Sequence, residues 1–243
     1  MRCLAIVHER DAGPGVFAEA MAERGAALDE WLIAESDRPP ADPFGYDAVF
    51  TFGGAMHPDA DSAHVWMAPE KELLRGLLAG GVPLMGSCLG TQLLGESAGA
   101  GPRRAPGHEI GWFDVEVTPE GLDDPVIGPM GPTFSAFQWH SYEVPLPPGA
   151  VALATSPVCL QAWRLGTLVY GIQFHAEVAE TDAHSWIRDY GPGSDAVDAG
   201  VDLDRFSVQT RARIGAWNRL GRGLCDRFLD LVASRRPAQS GVT

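Results

Sequence analysis

One cysteine stands in a setting that can turn it into a nucleophile. Cys88 is the centre of the run Gly86–Gly90 (Gly-Ser-Cys-Leu-Gly), between a short apolar stretch and a helix-like stretch. This order of strand, tight turn and helix is typical of a nucleophile elbow, in which small neighbours tolerate the crowded turn. The first N–H groups of the following helix point toward the sulfur and favour the thiolate. We therefore expect Cys88 to be a reactive thiol.

A cysteine nucleophile also needs a general base and a group that orients this base. His175 closes the apolar run Leu168–Phe174, so its imidazole can leave the end of a rigid strand. Glu177 follows two residues later, on the same face of an extended chain, where its carboxylate can hold the imidazole. The sequence therefore predicts a catalytic triad in the chain order Cys88, His175 and Glu177.

Two turns offer backbone N–H groups for a developing oxyanion. Leu89 directly follows the nucleophile, and the glycine pair Gly53-Gly54 follows the apolar run Asp47–Phe52. Because the carboxyl ends of parallel strands meet at one edge of a sheet, both turns should lie near Cys88. We predict the N–H groups of Gly54 and Leu89 as the oxyanion donors.

Composition narrows the class of protein around these residues. The chain has 243 residues and a formal net charge of −14, which argues against nucleic acid or an anionic membrane as a partner. Its four cysteines form no Cys-x-x-Cys pair, and no stretch approaches the ~20 apolar residues of a membrane span. We expect a cytoplasmic protein with a free thiol, no metal and no cofactor.

The elements that must position the site change character halfway along the chain. In the first half, strands alternate with helices, which favours a doubly wound parallel sheet. We predict strands at Leu4–His8, Ala27–Ala34, Asp47–Phe52 and just before Cys88, and helices at Pro14–Arg24, Pro69–Ala79 and Leu89–Ala98.

The second half is rich in strands separated by Pro- and Gly-rich turns, which predicts a β-rich layer attached to the first sheet. We place its strands at Gly111–Thr118, Thr133–Gln138, Ala150–Ala154, Val158–Trp163 and Thr167–Phe174. A helix at Asp182–Tyr190, a loop at about 190–202, a helical region at 203–234 that Gly221 and Gly223 can bend, and a disordered tail at 235–243 follow. We expect 1–243 to form a single domain, with the C-terminal helical stripe packed on its own core.

Four motifs together resemble class I glutamine amidotransferases, and more closely the stand-alone proteins similar to the amidotransferase domain of GMP synthase. They are Gly53-Gly54-Ala55-Met56, Gly86–Leu94, Gln138-Trp139-His140-Ser141 and Gly171–Glu177, supported by Glu109-Ile110-Gly111-Trp112. The resemblance spans Leu4 to about Leu229. This sequence has Ala55 and Ala176 where the family usually has proline, which bears on the turn geometry rather than on the chemistry.

The resemblance implies an α/β three-layer sandwich around a mostly parallel, flavodoxin-like sheet. It also implies that Cys88 attacks the side-chain amide of glutamine and forms a γ-glutamyl thioester. His175 would then protonate the leaving amine. Substrate glutamine would be held by Gly53, Gln92, Ser141 and Tyr142, and His140 would shape this segment without taking part in catalysis. The other histidines (His8, His57, His64, His108 and His184) are expected in surface or loop roles.

Three functions stay open at this stage. A glutaminase subunit could deliver ammonia to a separate synthase, which the glutamine-type motifs favour. A stand-alone hydrolase could cleave a γ-glutamyl conjugate, such as a glutathione-like compound or a γ-glutamylamine, which the lack of a fused acceptor module favours. A non-catalytic interaction module is the third, and the complete set of Cys88, His175 and Glu177 counts against it.

Overall fold

A computed structural model describes residues 1–36, 38–189 and 194–235 of the chain. The strands are β1 (Arg2–Val7), β2 (Ala27–Leu32), β3 (Ala48–Thr51), β4 (Leu84–Ser87), β5 (Arg103–Val117), β6 (Thr133–Glu143), β7 (Ala150–Thr155), β8 (Leu160–Leu165) and β9 (Val169–Ile172). The helices are α1 (Gly15–Glu23), α2 (Met67–Ala79), α3 (Leu89–Ser97), α4 (Pro119–Leu122), α5 (Glu180–Asp189), α6 (Asp195–Asp198) and α7 (Leu203–Arg235).

In these ranges nine strands form one sheet in the order β2-β1-β3-β4-β9-β8-β7-β5-β6. The five strands from β2 to β9 are parallel. Every residue of β3 and β4 is buried, because helices cover both faces of this half. Phe17 of α1 and Phe228 of α7 pack on one face, and Leu74 of α2 and Leu93 of α3 pack on the other. The predicted three-layer α/β architecture is confirmed.

The β-rich second half continues the same sheet. Strand β8 pairs antiparallel with β9, and β7, β5 and β6 extend the antiparallel order outward. The described strands thus form a mixed sheet. Strand β5 begins at Arg103, well before the predicted Gly111. The prediction started too late because a register shift between Arg104 and Glu109 interrupts the alternation of side chains in this part of the strand. Strand β9 ends at Ile172, so His175 lies beyond the strand in an irregular segment.

The C-terminal part differs from the prediction at one place. The predicted loop at 190–202 contains the short helix α6, whose N-cap Ser194 accepts a hydrogen bond from the N–H of Val197. Helix α7 runs through Gly221 and Gly223 as one element of 33 residues, in line with the predicted helical region. Within the predicted tail at 235–243, Arg235 closes α7 and the remainder lies outside the described residues.

None of the described helices is both long enough and apolar enough to cross a lipid bilayer.

Candidate active site

Cys88 occupies the sharp turn between β4 and α3. Its φ of 51° and ψ of −113° make it the one residue other than glycine with positive φ in the described ranges. Such a conformation is costly and persists only where neighbours hold it. The Cys88 N–H donates to the Ile172 carbonyl at 2.9 Å, and the Gly90 N–H donates to the Phe52 carbonyl at 2.8 Å. Two neighbouring strands therefore hold the elbow that the sequence predicts.

The glycines of the elbow are required by close contacts. A Cβ on Gly90 would lie 2.0 Å from the Thr51 carbonyl oxygen, and one on Gly86 would lie 2.8 Å from the Gly90 carbonyl carbon. Both obstacles are backbone atoms, which cannot move aside like a flexible side chain. The turn can therefore pack against β3 only with glycine at these two positions.

The predicted base and its orienting carboxylate lie together. The distance between His175 Nδ1 and Glu177 Oε1 is 2.7 Å, and both side chains are at least 97% buried. Ser87 Oγ donates to the second oxygen, Glu177 Oε2, at 2.7 Å. Sequence reasoning missed Ser87 because its partner is 90 residues away. Its position next to Cys88 was the one available signal.

Cys88 and His175 meet beside Gly53. A Cβ on Gly53 would lie 2.8 Å from His175 Cε1 and 3.6 Å from Cys88 Cβ. His175 Nε2 interacts with Cys88 electrostatically, without a hydrogen bond of normal geometry. Burial opposes protonation of the imidazole, but the negative charges of Cys88 and Glu177 outweigh it and raise the pKa of His175 to about 10. The imidazolium form is therefore favoured at neutral pH.

Helices from both ends of the chain fasten the segment that carries His175 and Glu177. Trp217 Nε1 of α7 donates to the His175 carbonyl at 2.8 Å. The N–H of Val16, at the start of α1, donates to the Glu177 carbonyl at 2.8 Å. A Cβ on Gly221 would lie 2.0 Å from a carbonyl oxygen of this segment, so α7 approaches it closely. The apolar stripe of α7 packs on the core of the protein as predicted. The same helix also holds the segment of His175 and Glu177.

The peptide between Gly53 and Gly54 is held by a buried histidine. His8 is 2% exposed, and its Nδ1 lies 3.0 Å from the Gly53 carbonyl oxygen. This peptide unit also carries the N–H of Gly54. A Cβ built on Gly54 would lie 3.3 Å from Leu89 Cδ2, so the Gly54 turn lies next to the Leu89 side chain. In a trans peptide the C=O and N–H point in opposite directions. The hydrogen bond between His8 and the Gly53 carbonyl therefore fixes the direction in which the Gly54 N–H points.

The second ring nitrogen of His8 faces a buried acid. His8 Nε2 lies 2.8 Å from Glu70 Oε2, and Thr51 Oγ1 donates to Glu70 Oε1 at 2.7 Å. Although burial opposes it, Glu70 raises the pKa of His8 above its usual value. His8 lies in the loop after β1, but it is buried, so the expectation of a surface position is wrong. Its position at the end of a buried strand, the same signal that identified His175, could have revealed it.

Three of the four predicted substrate residues, Gln92, Ser141 and Tyr142, line a hollow beside Cys88. Gln92 Nε2 donates to the Tyr142 carbonyl at 3.1 Å and to Gln173 Oε1 at 3.2 Å. Ser141 Oγ donates to an oxygen of Asp195 in α6. Cys88, Gln92, Ser141 and Tyr142 line one hollow together. The structure thus brings Gln92 and the Ser141-Tyr142 segment to one side of the thiol.

His140 belongs to a buried cluster behind this hollow. Its Nδ1 lies 3.1 Å from the Tyr142 carbonyl oxygen, and its Nε2 lies 3.1 Å from Glu109 Oε2. Cys159 completes a group whose ligand-type atoms lie within 4.8 Å of one another. Glu109 Oε2 already accepts a hydrogen bond from Gln161 at 2.7 Å, and burial together with Glu109 raises the pKa of Cys159. Because Glu109 Oε2 accepts from Gln161 and also faces the His140 ring, these side chains form one buried polar cluster.

Comparison with known proteins identifies the class. The family "Glutamine amidotransferase class-I" matches residues 16–190, which is most of the chain. The chain therefore belongs to the class-I glutamine amidotransferase family, which supports hydrolysis of glutamine as its general activity.

Individual relatives are similar over most of their length. YfeJ of Salmonella typhimurium, a glutamine amidotransferase-like protein, is 28% identical over 222 residues, covering 90% of this chain and 91% of YfeJ. A glutamine-hydrolysing GMP synthase subunit of Natronomonas pharaonis is 35% identical over 174 residues, covering 70% of this chain and 86% of that relative. The crystal structure of a Thermotoga maritima glutamine amidotransferase superposes with a TM-score of 0.85 at 25% identity, covering 95% of this chain and 98% of that one.

Proposed function

We propose that this protein hydrolyses a γ-glutamyl amide, with glutamine as the expected substrate, through a γ-glutamyl thioester on Cys88. The observation that carries the proposal is the buried pairing of His175 with Glu177 beside a thiol held at a strained elbow. A protein without catalytic function would have no use for this costly conformation or for three buried, interacting ionisable groups. The triad therefore supports an enzyme over an interaction module.

The first half of the reaction forms the thioester. The Cys88 thiolate attacks the amide carbon, and the carbonyl oxygen takes up negative charge facing the N–H groups of Gly54 and Leu89. As the C–N bond breaks, His175 Nε2 gives its proton to the departing nitrogen. Glu177 stabilises the imidazolium before this transfer and keeps the ring in the tautomer with a proton on Nδ1. Ammonia leaves, and the γ-glutamyl group remains on sulfur.

The second half releases glutamate. His175, now neutral, takes a proton from water while the water oxygen attacks the thioester carbon. The C–S bond breaks, and Cys88 departs as the thiolate beside the restored imidazolium. Glutamate takes one oxygen from water, and the starting charges of Cys88 and His175 return.

The glutamyl part of the substrate is proposed to lie on the Gln92 side of the thiol. Gln92, Ser141 and Tyr142 line the hollow there and would receive the α-amino and α-carboxylate groups. Gly53 would border the substrate near Cys88, where a side chain would collide with His175. His140 would act indirectly, by holding the Tyr142 carbonyl in place.

A separate ammonia-accepting synthase is the partner that the relatives named as GMP synthase subunits support. The four cysteines, all buried and unpaired, support placement in a reducing compartment such as the cytoplasm. A hydrolase of γ-glutamyl conjugates is the second candidate. It is favoured by a cavity of about 240 Å³ that opens beside Cys88 and His175, because ammonia needs no such space.

Two measurements test the proposal together. Purified protein is incubated with glutamine and a panel of γ-glutamyl compounds, and ammonia and glutamate are measured. In parallel, a diazoketone analogue of glutamine is added and the adduct is located by mass spectrometry. We expect labelling at Cys88 and its loss in Cys88→Ala, whereas Cys159→Ala, which removes another buried thiol, retains it. Absence of both turnover and labelling would refute the proposal.

A further inference from the structure

Cys88 lies between two hollows, and the proposed function uses only one of them. The hollow of Gln92, Ser141 and Tyr142 would take the glutamyl group. The other is the cavity of about 240 Å³ that His175 lines. Since His175 would protonate the leaving nitrogen, the leaving amine must lie on the His175 side of the scissile bond. The second cavity is therefore placed to receive whatever is attached to that nitrogen.

The size of this cavity exceeds what glutamine requires. A molecule the size of water or ammonia takes up about 30 Å³ in a liquid, whereas the cavity measures about 240 Å³. His175 is 2% exposed and lines this cavity together with Cys88, so the group proposed to protonate the leaving nitrogen forms part of its wall. The space beside this donor fits an amine with a chain of several atoms.

The walls of the cavity are apolar and aromatic. Trp139 and Trp186 both line it, with ring centroids 6.1 Å apart and ring planes at 84° to each other. The Trp186 ring also meets the His175 imidazole edge-on, at 5.0 Å. Such walls accept a methylene chain, and indole faces also attract cations. An aliphatic amine therefore fits better than a strongly polar one.

Apart from the ion pair of Cys88 and His175, the charged groups among the described residues of the cavity are both negative. Glu9 is half-buried, and Asp11 lies at the exposed rim. Glu9 Oε2 accepts a hydrogen bond from the Ala55 N–H at 2.8 Å, which fixes its carboxylate at the oxyanion turn. Among the described residues that line the cavity, none is lysine or arginine. The cavity therefore favours a cationic end group and disfavours a carboxylate.

We propose that the preferred substrate, resting on the proposed function, is the γ-glutamyl amide of an aliphatic diamine. The free ammonium of the diamine would lie near Glu9 and Asp11, and its methylene chain against the walls formed by Trp139 and Trp186. The chemistry is that proposed above: Cys88 takes the γ-glutamyl group, His175 protonates the departing nitrogen, and water releases glutamate and the diamine. A glutathione-like conjugate, whose leaving group carries a carboxylate, is disfavoured by the same charges.

Matched amides separate size from charge. The kcat/KM values of the purified full chain are compared for glutamine, γ-glutamyl-putrescine, its neutral isostere γ-glutamyl-pentylamide and the anionic γ-glutamyl-γ-aminobutyrate. Because ion pairs near a protein surface attract only modestly, we expect the putrescine amide to be cleaved about tenfold faster than the pentylamide and, since repulsion replaces attraction, about 100-fold faster than the anionic amide. The pentylamide should be cleaved faster than glutamine.

Charge-removing variants assign this preference to named residues. Glu9→Gln keeps an acceptor for the Ala55 N–H, and Asp11→Asn keeps the shape of the rim. In the double variant we expect the ratio of putrescine amide to pentylamide to fall about tenfold. Glu23→Gln, an exposed acid at the far end of α1, is the matched control and should leave this ratio unchanged.

The outcomes distinguish this inference from the proposed function. Equal cleavage of the putrescine amide and the pentylamide, or fastest cleavage of glutamine, would overturn the inference and leave γ-glutamyl hydrolysis in place. A preference for the diamine amide that survives the Glu9 and Asp11 substitutions would overturn it as well. If none of the four amides is cleaved and the diazoketone does not label Cys88, the proposed function itself fails.

Discussion

Ser87 provides the sharpest test of how the catalytic base is oriented. It is 1% exposed, and its Oγ donates to Glu177 Oε2 at 2.7 Å while Glu177 Oε1 holds His175. A hydrogen bond to a charged group contributes about 1.5–3 kcal/mol. If all of this is lost in the transition state, kcat/KM falls by about 10- to 160-fold. Ser87→Ala leaves the buried Glu177 Oε2 without this donor, so we expect a large loss of activity together with a loss of stability of about 1.5–3 kcal/mol.

The assay compares Ser87→Ala, Glu177→Gln and the double variant. It measures kcat/KM for glutamine, the rate at which the diazoketone labels Cys88, and the midpoint of thermal unfolding. Because the short hydrogen bond of Ser87 Oγ is to the Glu177 carboxylate, and its contact with the Phe174 carbonyl is longer at 3.4 Å, the double variant should be little slower than Glu177→Gln alone. Ser97→Ala is the matched control, since Ser97 bonds within α3 and to Lys71 and does not touch the triad.

Two results would refute this reasoning. One is a Ser87→Ala enzyme within about twofold of the unaltered protein, well below what a hydrogen bond to a carboxylate contributes. The other is additivity of the two substitutions, which would mean that Ser87 acts on the reaction by a route independent of Glu177.

Three further predictions concern other parts of the site. The pKa of His175 is raised from its ordinary value of 6.5 to about 10, so the stabilisation from its pairing is fully present below pH 6.5 and is lost as pH rises through about 10. We expect kcat/KM to decline over the same range. A decline centred near pH 7 would contradict this. His8→Leu should lower kcat by about tenfold with little change in KM, because an unmade buried hydrogen bond costs about 1–3 kcal/mol. Glu70→Gln, which can still hold a neutral His8, should retain most of kcat, and equal losses in the two variants would argue for general destabilisation instead. Gly90→Ala should prevent stable folding, because its Cβ would lie 2.0 Å from a backbone oxygen, whereas Gly215→Ala, with no atom within 4 Å, should be tolerated or stabilising in circular dichroism melts.

The features that could be predicted from the sequence are those encoded locally. The elbow at Cys88 occupies five consecutive residues, and His175 and Glu177 are two positions apart. Buried parallel strands read as short apolar runs, so the first half of the sheet could be placed closely. In each case the signal and the structure it specifies lie in one short stretch of chain.

The features that were missed depend on contacts between distant parts of the chain. Ser87 meets Glu177 across 90 residues, and His8 meets Glu70 across 62. Neither pair leaves a spacing pattern, because the strand order rather than the local sequence brings the partners together. The early start of β5 was missed for a different reason, since its irregular register hides the period of two on which strand prediction relies.

The hydrogen bonds that Val16 and Trp217 donate to the carbonyls of Glu177 and His175 tie both ends of the chain to the candidate site. The family match covers residues 16–190, which leaves out β1 at the interior of the parallel sheet and all of α7. A fragment trimmed to the matched residues would carry every triad residue but not the hydrogen bond from Trp217 to the His175 carbonyl. Any truncation, fusion or transplantation of this protein must therefore keep both ends of the chain if the arrangement of His175 and Glu177 is to be preserved.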